Sequence, residues 1–308
     1  MTSGLSRYSW AVLAFTIFVL ITGAYVRATG SGAGCGSHWP LCNGQVIPRT
    51  PQIETAIEFS HRVASGLSLV LILVLVVLTW RSSERGHPIR RSSAFALLFI
   101  FAEALIGAWL VLYHLVTTND SMGRAIAITL HLVNTFFLLA SLTLTARWAT
   151  IRTDRRLGKR RLEFWLVGLA CLVTLLLSAS GAITALGDTL FPPTNLLDSF
   201  RQDFSTAAHF LTKLRVFHPF IAAGLGIYLA AVLLLVKHRH SEISIRTLAN
   251  GLIALFVWQG FLGMANVVLL APVWTQLLHL LTSTMIWVSL ILLSATILES
   301  PAPVMIGD

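Results

Sequence analysis

Eight stretches of this chain are predominantly apolar over about twenty residues or more, and no other feature restricts the fold so tightly. They run approximately over 8–27, 57–80, 93–113, 124–146, 163–184, 209–236, 246–270 and 274–297. A helix of about twenty apolar residues crosses the ~30 Å hydrocarbon core of a bilayer. Inside that core the backbone must satisfy its own hydrogen bonds, so spanning segments of this length are expected to be helical. The balance of 56% hydrophobic against 11% charged residues, with mean hydropathy +0.78, excludes a soluble fold. The first stretch could pass for a signal peptide. Its apolar run from Trp10 to Val26 exceeds a usual signal core, however, and no convincing cleavage site follows, so it is read as a span.

The net charge of +9 does not indicate nucleic-acid binding, because the basic residues sit in short loops between the apolar segments. Counted on alternate sides, 15 Lys and Arg lie on one face and 7 on the other. Basic loops stay inside, so both termini are expected on the cytoplasmic side of the cell membrane. The long loops 28–56 and 185–208 then lie outside.

The two halves of the sequence repeat each other weakly. GAYVRATG from Gly23 resembles GAITALGD from Gly181, His61 matches His218, Gly107 matches Gly263, and HLVNT from His131 matches HLLTS from His279. Four spans per half is an even number, so both halves enter from the same side, and their pseudo-twofold axis should run along the membrane normal. The expected architecture is an all-α integral membrane protein with eight transmembrane helices as two pseudo-symmetric four-helix bundles. The bundles cover residues 1–146 and 163–308, with a cytoplasmic linker at 147–162.

His61, His131, His218 and His279 lie near the starts of spans 2, 4, 6 and 8. His61 is seven residues past Glu54, His131 seven past Arg124 and His279 seven past Pro272, which puts them about 10 Å along their helices at a similar depth. Each half thus offers two imidazoles at one level inside a four-helix bundle. That is the donor set of a bis-histidine haem, with haem iron as the metal. A single intramembrane histidine is usually a structural hydrogen-bonding group; two pairs matched in half, direction and depth are not so easily explained that way. A bare metal is disfavoured because neither half supplies further His, Cys or carboxylate ligands at that level, Glu58 apart.

The halves differ beside these histidines. Glu58 stands three residues before His61 and Arg62 one after it, whereas Arg215 and Pro219 flank His218. An acid at a haem edge can carry protons during oxidation of a substrate, and an Arg there suits propionate carboxylates. The N-terminal half is therefore expected to be the reactive one. Arg62 and Arg215 are candidate propionate or ion-pair partners, and a plain ion pair of Glu58 with Arg62 or Arg27 is the bland alternative.

The pattern TGSGAGCGSHWPLCNGQ over 29–45, followed by EFSHR at 58–62, HLVNT, the second His pair and eight spans, resembles the haem A synthases of the CtaA type over essentially the whole chain. The resemblance implies oxidation of the C8 methyl group of haem O, through an alcohol, to the formyl group of haem A for cytochrome oxidase. It implies Glu58 as the essential acid, His61 and His131 facing substrate haem O, and His218 and His279 holding haem b. Cys35 and Cys42 match the paired cysteines of the family's first outer loop. In an oxidising compartment they are expected to form a structural disulfide, a redox role being the sharper alternative. Gly36, Ser37 and His38 depart from the Cys-Pro-Asp-Trp-Pro variant of that loop, so no role passes to His38. Expected partners are the lipid bilayer, haem O, a haem O synthase and an unidentified electron acceptor.

Gly23, Gly107, Gly181, Gly260 and Gly263 are read as close helix contacts or as room for a porphyrin face. The amphipathic run 196–208 is expected to lie on the membrane surface as a lid. A dihaem electron-transfer cytochrome b would need the same four histidines but has no use for Glu58 beside one haem only. A transporter would not need the histidine pairing.

Overall fold

A computed structural model describes residues 3–49, 52–151 and 161–299 of the chain. Most of the expected linker, residues 152–160, lies outside the described residues, as do 1–2, 50–51 and 300–308. The described chain forms α1 (Ser3–Ala28), α2 (Ile53–Ser82), α3 (Pro88–Leu112), α4 (Met122–Thr150), α5 (Arg161–Leu190), α6 (Leu196–Phe204), α7 (Phe210–Arg215), α8 (Phe217–Arg239), α9 (Ile243–Val268) and α10 (Val273–Glu299). Among the described residues, eight helical segments are long and apolar enough to cross a membrane, with α7 and α8 together making the sixth. The protein is a multi-pass membrane protein. Its helices run a few residues past the apolar stretches at several ends; α4 continues to Thr150 rather than stopping at 146. Polar residues at an interface extend a helix without adding to hydropathy.

Local chemistry sets several helix starts. His87 accepts a hydrogen bond from the Ile89 N–H at 3.2 Å, and Pro88 opens α3 where its missing N–H costs nothing. Ser121 caps α4 by accepting from the Arg124 N–H at 3.3 Å. The sixth span is broken at Val216 because Pro219 has no N–H for the Arg215 carbonyl and its ring crowds that carbonyl. The break redirects the chain immediately before His218.

Packing follows the repeat. The contacts α1–α2, α2–α3, α3–α4 and α4–α1 close one ring of four helices, and α5–α8, α8–α9, α9–α10 and α10–α5 close another. The Tyr8 hydroxyl donates to the Leu71 carbonyl between α1 and α2 at 2.9 Å. The Tyr228 hydroxyl donates to Leu166 between α8 and α5 at 2.8 Å, so matching helix pairs are tied at matching levels with donor and acceptor exchanged. Between the rings, α1 meets α10 and α4 meets both α5 and α10. There the buried Trp287 indole stacks on Phe136, ring centroids 5.4 Å apart, and donates to the Phe136 carbonyl at 2.7 Å. Arg147 pairs with Glu299 at 2.7 Å and Trp148 donates to the same carboxylate at 2.8 Å. Each of these satisfies a polar group that hydrocarbon would otherwise leave unpaired. Phe18, Leu98 and Trp165 are exposed and lie off the cavity described below, as lipid-facing side chains would.

Candidate functional site

A partly open cavity of about 1840 Å³ extends across both rings of helices and is lined by His61, His131, His218 and His279 among others. Single drug-sized ligands occupy roughly 300–1,000 Å³, so this space holds more than one. The histidines come from α2, α4, α8 and α10, which are diagonal within their rings, and the intervening helices supply glycines opposite them. A Cβ on Gly23 would lie 2.8 Å from His61 Cε1, on Gly181 3.1 Å from His218 Cε1, on Gly263 3.5 Å from His279 Cε1, and on Gly107 4.0 Å from His131 Nε2. Four glycines from the repeat are thus seats for four imidazoles. Gly260 has no such neighbour.

Two of the rings are oriented by hydroxyls in repeat-equivalent positions. Thr22 Oγ1 lies 3.0 Å from His61 Nδ1, and Ser180 Oγ lies 2.9 Å from His218 Nδ1. With Nδ1 engaged, Nε2 is the nitrogen left for a ligand. The His218 and His279 ring centroids are 6.4 Å apart. An imidazole nitrogen ligates a metal at ~2 Å and lies ~1 Å from its own ring centre, so two rings on opposite sides of one iron need about 6 Å between centres. The residues fit a haem held between them.

The other pair differs. His131 Nδ1 is 2.9 Å from Glu103 Oε1, though not aligned for a good N–H···O bond. Glu103 in turn accepts from the Asn134 amide and the Thr135 hydroxyl. At the matching place in the second half stands Gln259, whose amide donates to the His279 carbonyl at 3.1 Å. Sequence reasoning missed Glu103. Its signal was a lone carboxylate inside the third apolar stretch, four residues before Gly107, where Gln259 stands four before Gly263.

Glu58 is 3% exposed and lines the cavity. Its Oε1 accepts from Arg62 Nη2 at 2.5 Å and Nε at 3.1 Å, and its Oε2 accepts from the Cys35 N–H at 2.8 Å. Arg62 Nη1 also donates to the carbonyls of His38 and Leu41, at 2.7 and 2.8 Å. The pair therefore clamps the loop closed by the Cys35–Cys42 disulfide against α2. Gly34 allows that approach, since a Cβ there would collide with the Glu54 carbonyl. Both cysteines are buried and do not line the cavity. Cys171 is the free cysteine, part-buried in α5.

Arg215, 6% exposed, pairs with Asp203 at 2.5 Å and Asp188 at 3.2 Å. Asp203 belongs to α6, whose Leu196, Phe200 and Phe204 are exposed outward but also line the cavity. Part of the run expected as a lid forms this short helix, tied to Arg215 through Asp203. Burial pushes the Asp203 carboxyl above its usual range, against the pull of that guanidinium.

Four histidines lining one cavity among eight spanning helices, with Glu58 and Glu103 in the wall beside the first two, define a multi-pass membrane protein with imidazoles open to a bound group. Comparison with known proteins narrows this. Residues 6–291 match the COX15-CtaA family, described as cytochrome oxidase assembly protein, and the chain belongs to that family. It is 46% identical over 300 residues to a Thermus thermophilus protein named "Protoheme IX farnesyltransferase", a match covering 97% of this chain and 49% of that protein. It is 41% identical over 113 residues to "Heme A synthase" of Alkalihalophilus pseudofirmus, covering 37% of this chain and 38% of that one. Against "Heme A synthase" of Halalkalibacterium halodurans the identity is 43% over 97 residues, 32% and 33% of the two chains. The chain spans about half the length of the Thermus relative, and about a third of each heme A synthase is matched.

Proposed function

We propose that the chain is a haem A synthase, oxidising the C8 methyl group of haem O through an alcohol to a formyl group. The observation that carries this reading is the asymmetry between otherwise matched sites: a buried carboxylate, Glu58, lines the cavity beside His61, where the second half places Arg215 in two ion pairs. In this reading residues 1–146 form the bundle that holds substrate haem O between His61 and His131. Residues 163–308 hold haem b between His218 and His279, a cofactor that would supply one-electron redox chemistry. The net change, methyl plus water to formyl, releases protons and electrons together: Glu58 accepts the protons, and an electron acceptor outside this chain must take the electrons. Arg62 and the Cys35 N–H keep its carboxylate fixed. Glu103 sets a carboxyl group 2.9 Å behind His131, and Thr22 keeps the His61 ring turned toward the substrate.

The excess of basic residues on one side supports an orientation in the cell membrane with both termini cytoplasmic and the disulfide loop outside. The farnesyltransferase name belongs to a protein about twice as long, half of which resembles this chain. That accords with a farnesylated haem as substrate, supplied by a haem O synthase.

The test is haem extraction and mass analysis from membranes expressing the chain with a haem O supply, wild type against Glu58→Ala. Wild type is expected to accumulate haem A, and the variant haem O or the alcohol with its haem b retained. If neither makes haem A while both carry two b-type haems, the electron-carrier reading replaces this one.

A further inference from the structure

Two guanidinium groups in the cavity wall have no acid to answer them. Arg124 is 2% exposed; its Nη1 donates to the Thr117 and Asn119 carbonyls, at 2.5 and 2.8 Å, and its Nε is buried with no hydrogen-bond partner. Arg27 reaches from α1 into the second half, donating to the Ala185 carbonyl at 2.6 Å, Thr189 Oγ1 at 2.8 Å and Gln276 Oε1 at 3.0 Å. Both line the cavity, and each lies close enough to the other for their charges to repel. Among the described residues Arg62, Arg147, Arg215 and Arg239 each have a carboxylate within ion-pair distance, whereas Arg27 and Arg124 have none. Asp188 acts on Arg27 from further away but is committed to Arg215 at 3.2 Å.

A buried charge held only by neutral acceptors is costly, and two like charges together more so. The arrangement is stable once a dianion enters. The position says which one. Arg124 lies seven residues before His131, about 10 Å along α4, and Arg27 four residues after Gly23, about 6 Å beyond the seat of His61. Both therefore stand to the disulfide-loop side of the first histidine pair, at the reach of half a porphyrin and its carboxylate arms. The repeat-equivalent positions in the second half are Ala185 and Pro272, which carry no charge.

We propose that Arg27 and Arg124 form a carboxylate-binding site that takes the propionates of the haem held between His61 and His131. This rests on the haem reading of that half. It sets the in-plane orientation of the substrate, and so which edge of the macrocycle is turned away from the arginines.

The experiment titrates the purified full chain, carrying the haem it retains from expression, with protohaem IX and with its dimethyl ester, following uptake by Soret absorbance. Wild type is expected to take the diacid about ten- to a hundredfold more tightly than the ester, the range of a hydrogen bond to a charged group. Arg124→Gln and Arg27→Gln should each cut that preference about tenfold, and Arg124→Lys should keep part of it, while ester affinity stays at the wild-type value. A preference equal in wild type and both glutamine variants would assign the pair to another anion, a lipid phosphate or free phosphate, and overturn the inference. So would a parallel loss of ester and diacid binding, which would make the arginines structural. Uptake indifferent to His61→Ala would remove the haem reading of this half and the inference with it.

Discussion

Gly23→Ala should disable the first histidine pair without unfolding the protein. The added Cβ would stand 2.8 Å from His61 Cε1. Carbon atoms pack best at about 3.5–4.0 Å, so the ring must retreat by about 0.7 Å or more. It cannot retreat freely, because Nδ1 is tied to Thr22 at 3.0 Å. Overpacking of this kind costs about 1–3 kcal/mol, and a displacement near 1 Å of a reacting group lowers rates about a hundredfold. The other three glycines grade the effect: Gly181→Ala meets His218 at 3.1 Å, Gly263→Ala meets His279 at 3.5 Å, and Gly107→Ala meets His131 at 4.0 Å. The assay is the haem spectrum of each purified variant together with haem A formation in membranes. Gly23→Ala should perturb the substrate site and lower haem A formation strongly. Gly181→Ala should loosen the retained haem, and Gly107→Ala should match wild type. Equal losses at all four positions, or a larger loss at Gly107 than at Gly23, would refute the seating argument.

Glu103→Gln gives the first half the residue that the second half has at Gln259; with the carboxyl group behind His131 replaced by an amide, ligand strength at the first site should fall about tenfold, read by titration of the haem into the variant. Replacing both Cys35 and Cys42 by Ser should free the loop that supplies the Cys35 N–H to Glu58, slowing haem A formation while haem content is unchanged; a variant with wild-type activity would show that the loop holds its shape without the bond. Arg147→Ala leaves Glu299, with 3% of its side chain exposed, facing only Trp148, and should destabilise the contact between the two rings by about 3 kcal/mol, measured as a lower denaturation midpoint in detergent. Trp287→Phe keeps the stacking on Phe136 but loses one hydrogen bond, so about 1 kcal/mol is expected in the same assay.

The spans were legible in the sequence because hydrocarbon thickness dictates both their length and their composition. His61, His131, His218 and His279 stood out through the repeat, and Gly23, Gly107, Gly181 and Gly263 with them. What those glycines do was not legible. Helix contact and porphyrin clearance were both open readings, and only the distances show each glycine against an imidazole. The break in the sixth span follows locally from Pro219. Glu103 was legible as an anomaly but carried no partner until α3 and α4 were set side by side.

The sequence by itself determined a helical membrane protein of eight spans, its internal repeat, and the residue types that the repeat places at one depth. Those properties depend on local composition and on spacing along single helices, which a linear chain displays. The Glu58–Arg62 pair, one helical turn apart, was already among the readings of the sequence. Tertiary structure alone decided how the other charges are answered: Arg215 pairs with Asp188 and Asp203, and Arg147 with Glu299 across the contact between halves. Arg27 finds its acceptors 158, 162 and 249 residues away, and Arg124 is left with its Nε unanswered. Burial and pairing are properties of neighbours brought together by packing, and in a bilayer, where water cannot stand in for a missing partner, they decide what each charged group is there to do.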